Sequence, residues 1–300
     1  MDPDSIKYII WWRNHASSIY NDILIPNPSI INATDASMTG WGAHLGNLST
    51  GGLFSDEESV EHINNLELKA VLFGLKSLTT GLHETHIKVL CDNTSAFHCI
   101  NKFGTSRSFP LDKTTKDIWA YVIQNNNWLS AAHIPGKLNV EADLESRKME
   151  IHTEWKLDES TFQEICNFFK FVPDMDLFAS RLNTQLKRFM SYRPDPECFA
   201  VNAFLSNWKK LKFYCFPPFA STVICRILQK IVQDSARGIL IIPDWPSQPW
   251  YAALTDITIE TIVLPPRINL LYLPSQPGIP HPLHKTLSLM ACLVDGNSLH

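Results

Sequence analysis

Hydrophobic and polar positions divide the 300-residue chain into blocks of different period. Near the start, Ile9, Ile10, Trp11 and Trp12 crowd into a short helical segment that ends in the loop PNPS at 26–29. Two adjacent tryptophans predict a surface that packs on something. The next stretch, SIINATDASMTGWGAHLGNLSTGGLFS, holds three short strand-like runs separated by Gly40 and by Gly51-Gly52, the pattern of a three-stranded antiparallel meander. From about 58 to 80 the period changes to that of a helix, with Ile63, Ala70, Gly74 and Leu78 at spacings of three and four and Glu67 on the same stripe. IKVLCD at 87–92 reads as a short buried strand ending on an acid. Asn93-Thr94 then offers an N-cap for the helix TSAFHCINKF. A further helix is expected over 111–125, a strand over 128–134, and a last helix from near Asn139 that contains Asp143.

A break follows around 148–157, and the chain beyond it is rich in proline and aromatic residues. It reads as a second α/β region, with strand candidates DMDLFA, KFYCF and GILIIP and a helix over 220–235. Prolines recur too often over 265–284 for regular structure. The expected organisation is a connector (1–27), a first α/β domain (28–148), a second (149–264) and a Pro-rich C-terminal extension (265–300).

Composition narrows the class. A chain with 45% hydrophobic and 19% charged residues can bury a core, and its length suits about two domains. The net charge of -4 announces no global nucleic-acid field, and the acidic excess lies in the first half. Seven scattered cysteines without a C-x-x-C pair suggest neither a disulfide framework nor a zinc site. The N-terminus reads as neither a secretory signal nor a membrane span, so a soluble intracellular protein is expected.

The candidate chemistry lies in four acids on four elements: Asp35 in a strand, Glu67 on an apolar helical stripe, Asp92 at a strand end and Asp143 in a first helical turn. Singly, Asp143 suits helix-terminal charge stabilisation and Asp92 a turn. A carboxylate on a core-facing stripe is costlier and needs a cation or a partner. Clustered carboxylates repel, and a hard divalent cation relieves them; a paired site then activates water and stabilises the leaving oxygen of a phosphodiester. His133, ten residues before Asp143 in the HIPGKLN loop, is a candidate proton carrier for the leaving group, its plain alternative being a surface histidine.

TDAS (34–37) with GWGA (40–43), HINNLELKA (62–70), CDN (91–93) and AHIPGKLNVEAD (132–143) resemble the ribonuclease H domain of retrotransposon polyproteins, particularly DIRS-type elements. The resemblance covers about residues 5–148, with the motifs in the family's order. It implies a five-stranded mixed sheet flanked by helices and two Mg²⁺ ions held by Asp35, Glu67, Asp92 and Asp143. It also implies hydrolysis of the RNA strand of RNA-DNA hybrids, with His133 kept in register by H-x5-N-x3-D spacing through Asn139. Hybrid recognition would use 2′-hydroxyls and backbone. Asn93, Thr94, Lys102, Arg107, Ser108 and Asn139 are the candidate nucleic-acid contacts.

DLFAS, Asn183, Trp208, the Pro217-Pro218 pair and Trp250 resemble the domain that follows ribonuclease H in DIRS-type polyproteins, itself similar to phage-type DNA adenine methyltransferases. This covers about 154–254. The candidate motif residues are Asp176, Asn183, Phe216, Pro217, Pro218 and Phe219. Such an enzyme places Asn or Asp before the two prolines to hold the target amine, and an aromatic after them to stack the flipped base. In FPPF, Phe219 can stack, but Phe216 accepts no hydrogen bond. A degenerate domain that does not bind S-adenosylmethionine is therefore expected, with weak nucleic-acid stacking near Lys209, Lys210 and Lys212 as a further role. The whole reads as a retroelement polyprotein fragment lacking its polymerase, Trp11 and Trp12 facing the missing domain. The alternatives are a non-catalytic nucleic-acid-binding remnant and an active adenine methyltransferase.

Overall fold

The structure, a computed structural model, describes residues 3–17, 27–148 and 154–298. Helix α1 (Pro3–His15) opens the chain and leaves Ile9, Ile10, Trp11 and Trp12 exposed. Strands β1 (Ile30–Ala36), β2 (Gly40–Leu45) and β3 (Leu48–Leu53) form the expected antiparallel meander. Its second turn lies elsewhere than Gly51-Gly52. Gly46, at φ +62°, makes the tight β2–β3 connection, because a residue without Cβ adopts the left-handed conformation at no steric cost.

The stretch expected as one helix is two. α2 (Asp56–Ser59) starts on a capping box in which Ser55 and Glu58 satisfy each other's backbone N–H groups, and α3 (Ile63–Leu78) starts afresh at His62. Strand β4 (His86–Cys91), helices α4 (Thr94–Asn101) and α5 (Phe109–Gln124), strand β5 (Trp128–His133) and helix α6 (Val140–Ser146) follow as the hydrophobic periods foretell. The sheet order is β3-β2-β1-β4-β5, with β1, β4 and β5 parallel, which is the five-stranded mixed sheet that the resemblance implies. Trp41, Leu66, Leu75, Ile87, Ile100 and Ile118 are at its core.

The second region has its own sheet. β6 (Lys156–Leu157) and α7 (Glu159–Phe168) precede β7 (Met175–Leu177), β8 (Phe189–Ser191), β9 (Ala200–Val201) and β10 (Lys212–Cys215). α8 (Ser221–Gln233), β11 (Arg237–Pro243), α9 (Tyr251–Ile257), β12 (Thr258–Leu264), β13 (Leu271–Tyr272) and β14 (Leu289–Asp295) complete it. The order is β12-β14-β11-β10-β7-β8-β9, parallel from β9 to β11 and antiparallel at β14 and β12.

One expectation is corrected here. Residues 265–300 are not a separate extension, since β14 lies inside the sheet between β12 and β11, where its uninterrupted run LMACLV is buried on both faces. The Pro-rich 265–284 stretch itself holds only the two-residue strand β13, paired with β6.

A carboxylate site where three elements meet

One carboxylate oxygen from each of Asp35, Glu67 and Asp92 lies within 4.8 Å of the other two. The fold explains the meeting. β1 and β4 are parallel neighbours, so Asp35 near the end of one and Asp92 just past the end of the other emerge side by side. Glu67 comes from the face of α3 that packs on β1 and β2, and is only 4% exposed. It accepts a hydrogen bond from the Ala36 backbone, while its Oε2 is buried without a partner.

The electrostatics are those of a site short of positive charge. Burial, then the charges of Asp35 and Asp92, push Glu67 up to about 9. Burial also raises Asp35, against the lowering effect of its hydrogen bond from Ser146, and Asp92 and Asp143 raise it further. Three hard oxygen donors from separate elements, one of them a buried orphan, fit a divalent cation: the attraction that each carboxylate lacks is the one such an ion provides.

Asp143 does not join the triangle. Its Oδ1 accepts from Arg147 Nε at 2.7 Å and lies 2.7 Å from Nη2, an i,i+4 pairing on an exposed helical face. It remains close enough to raise Asp35 electrostatically. His133 ends β5 opposite Cys91, exposed, with its ring 6.3 Å from that of Phe97.

The candidate nucleic-acid contacts divide. Thr94, Lys102 and Arg107 are exposed and Ser108 is half-buried. Asn93 caps α4 by accepting from Ala96 N at 3.0 Å and donates to Asn64 Oδ1 at 3.0 Å. Asn139 is a correction: it is buried, and its Nδ2 donates to Thr34 O at 2.9 Å, so it ties the start of α6 to β1 and has no face for a ligand.

Four positions escaped notice in the sequence. Ser146 donates to Asp35 Oδ2 at 2.6 Å, and its O accepts from Ser37 Oγ at 2.8 Å. A Cβ on Gly136 would stand 2.8 Å from Asp92 Oδ2, so any larger residue there would push that carboxylate aside. A Cβ on Gly42 would lie 2.1 Å from Ala142 O, and one on Gly51 would lie 3.0 Å from Glu145 O. These glycines make a floor that admits α6. The G-x-G at 40–42 and the Gly-Gly at 51–52 were the available signal, hidden by the habit of reading glycine as a turn.

In the second region, β7 and β10 are adjacent parallel strands at which the order of connection reverses. Asp176 is buried within β7 and accepts from Gln185 N at 2.7 Å, and burial pushes it up to about 7. Asn183 Oδ1 accepts from Ser180 N at 2.7 Å. The tetrad Phe216 to Phe219 leaves the end of β10, with the two phenyl rings 5.7 Å apart and Phe219 6.2 Å from Trp245. Trp208 and Trp250 belong to the core. A cavity of about 490 Å³ opens between the two regions, lined among others by Phe178, Asn183, Arg193 and Pro218 on one side and by Trp41 and Glu145 on the other.

Searches of protein-family models and of curated proteins find no match to this chain. Solved structures similar to it include RNase H1 from the halophilic archaeon Halobacterium salinarum NRC-1, at 16% identity and TM-score 0.32, covering 38% of this chain and 92% of that one. LC11-RNase H1 in complex with an RNA/DNA hybrid is similar at 18% identity and TM-score 0.34, covering 39% and 92%. The foamy viral protease-reverse transcriptase in complex with an RNA/DNA hybrid is similar at 12% identity and TM-score 0.30, covering 44% of this chain and 22% of that one. Among the described residues no helix is long and apolar enough to cross a membrane.

Proposed function

We propose that the first region is a metal-dependent ribonuclease H-type endonuclease that hydrolyses the RNA strand of RNA-DNA hybrids. The observation that carries this reading is the triangle of Asp35, Glu67 and Asp92, with Glu67 buried, unsatisfied on one oxygen and pushed up to about 9. A buried acid kept in that state serves no packing purpose and destabilises the metal-free chain. The three carboxylates would hold Mg²⁺, with Asp143 as a fourth donor once it parts from Arg147. The bound cations would supply Lewis-acid stabilisation of charge developing on the phosphodiester.

The chain's own groups do the rest. Ser146 orients Asp35. Gly136 keeps the loop against Asp92, which fixes that carboxylate's direction. His133, exposed beside the end of β4, is free to move between solvent and a leaving oxygen and so to carry its proton. Thr94, Lys102 and Arg107 form the backbone-contacting surface, in keeping with recognition by shape and 2′-hydroxyls. The experiment is a substrate panel: with Mg²⁺, the chain cuts the RNA strand of a hybrid and leaves duplex DNA, and the DNA strand of the hybrid, intact. Equal cleavage of duplex DNA would refute the hybrid-specific reading.

The second region we read as a degenerate adenine-methyltransferase-like domain of a retroelement polyprotein whose polymerase lies outside this chain. The reversal of connection at β7 and β10 supports it, since α/β sheets bind ligands beyond the carboxyl ends of strands at such a point. Phe216 offers no acceptor to an exocyclic amine, so methyl transfer is not expected. Saturable S-adenosylmethionine binding in a calorimeter would reverse this view of the domain.

A further inference from the structure

Helix α6 carries Asp143 and Ser146 and lies close against β1, β2 and β3, but almost no apolar side chain secures it there. It spans seven residues, its apolar side chains Val140 and Leu144 are exposed, and Ala142 is its one buried apolar side chain. So short a helix is not stable by its own hydrogen bonds, and one methyl group anchors it weakly. Its glycine floor lets it approach the sheet but supplies no side chain to grip it. What remains are polar ties: Asn139 to Thr34 O, Ser37 to Ser146 O, and Ser146 to Asp35. A further tie comes from the other region. Arg193 Nη1 donates to Glu145 Oε2 at 3.0 Å, and the adjoining Pro194 O accepts from Thr50 Oγ1 on β3 beneath the helix. Glu145 is buried and charged, so it needs such a partner; Lys148 is its other one.

We propose that the second domain braces the carboxylate site, Arg193 acting as a positioning residue that seats α6 through Glu145 and so keeps Ser146 on Asp35 and Asp143 beside the triangle. The inference rests on reading the triangle as a cation site, and it gives the methyltransferase-like domain a task that needs no methyl transfer. Arg193 touches no reacting atom.

The test uses the full chain and two readouts besides cleavage: amide hydrogen exchange over 140–148, and calorimetric titration with Mn²⁺ in the absence of nucleic acid. Arg193→Ala and Glu145→Gln should each speed exchange and weaken Mn²⁺ binding roughly 10-fold, the size typical of groups that orient a ligand from behind. The double variant should be no worse than either single one. Arg193→Lys, which keeps a cation able to donate to Glu145, should restore most of both, and this variant covers the case in which the alanine form folds poorly. Lys76→Ala, which removes a different inter-domain pair, that with Glu197, should change neither. Wild-type exchange and affinity in Arg193→Ala would overturn the brace, as would equal effects from Lys76→Ala. A chain that showed the Arg193 effects on exchange but cut no hybrid would keep the brace and lose the nuclease; cleavage with unaltered exchange would do the reverse.

Discussion

Ser146 Oγ donates a 2.6 Å hydrogen bond to Asp35 Oδ2, linking the last residue of α6 to one corner of the carboxylate triangle. The bond favours the ionised form of Asp35 against the burial that opposes it. Ser146→Ala should therefore leave Asp35 harder to ionise and less well aimed. Metal affinity measured by calorimetry near pH 7 should fall roughly 10-fold, with thermal stability changed little. An unaltered affinity would remove Ser146 from the site.

Arg147 competes with any cation for Asp143. Because that pair is exposed and contributes little to stability, Arg147→Gln should free the carboxylate without unfolding the chain. Mn²⁺ titration of the variant should show tighter binding, most clearly for a second ion. Weaker binding would mean that Arg147 orients Asp143 toward the site instead of away from it.

Stability of the metal-free chain should depend on pH in the sense opposite to that of a salt-bridged acid. Between the ordinary glutamate value and about 9, folded Glu67 keeps a proton that the unfolded chain has lost. Stability is thus fullest below that window and declines as pH rises through it, by at most about 1.4 kcal/mol per pH unit. Asp35, also raised, adds in the same direction. Urea unfolding with chelator from pH 5 to 9 should show the decline, and Glu67→Gln should make it shallower, most clearly above pH 7, where the buried Asp176 no longer contributes. With metal present, the cation displaces the proton, so affinity should rise over the same range. Stability that increased with pH would contradict the geometry.

Two glycines should fail differently. A Cβ on Gly136 meets the tip of Asp92, a side chain that can turn aside, so Gly136→Ala should impair metal binding with a small stability change. A Cβ on Gly42 meets the backbone of α6 at 2.1 Å, which cannot move without undocking the helix. Gly42→Ala should cost about 1–3 kcal/mol by denaturant unfolding, the range for forced overpacking, and reduce activity as well. Equal behaviour of the two would mean that α6 is not seated on that floor.

Much of the first sheet was legible because its signals are local. The stripe through Glu67, the acid ending IKVLCD and the cap at Asn93 are each set by residues a few positions apart. Gly51 and Gly52 misled because Gly51 makes room for the backbone of α6, far along the chain, and Gly52 for the Trp41 ring, and a glycine admitting a neighbour looks the same in sequence as one making a turn. Asn139 misled in a similar way: a polar residue in a surface-looking loop is spent on a buried carbonyl. β14 was missed because the prolines before it suggested that regular structure had ended. The Asp35, Glu67 and Asp92 cluster was foreseen, while the engagement of Asp143 with Arg147 is a choice of rotamers that spacing does not fix.

The most direct measurement is cleavage of an RNA-DNA hybrid, labelled on the RNA strand, by the purified chain with Mg²⁺, beside Asp92→Asn. Endonucleolytic products from the wild-type chain, abolished by chelator and lost in the variant, are the predicted result. No metal-dependent cleavage by the wild-type chain, or equal cleavage by the two, would contradict the account.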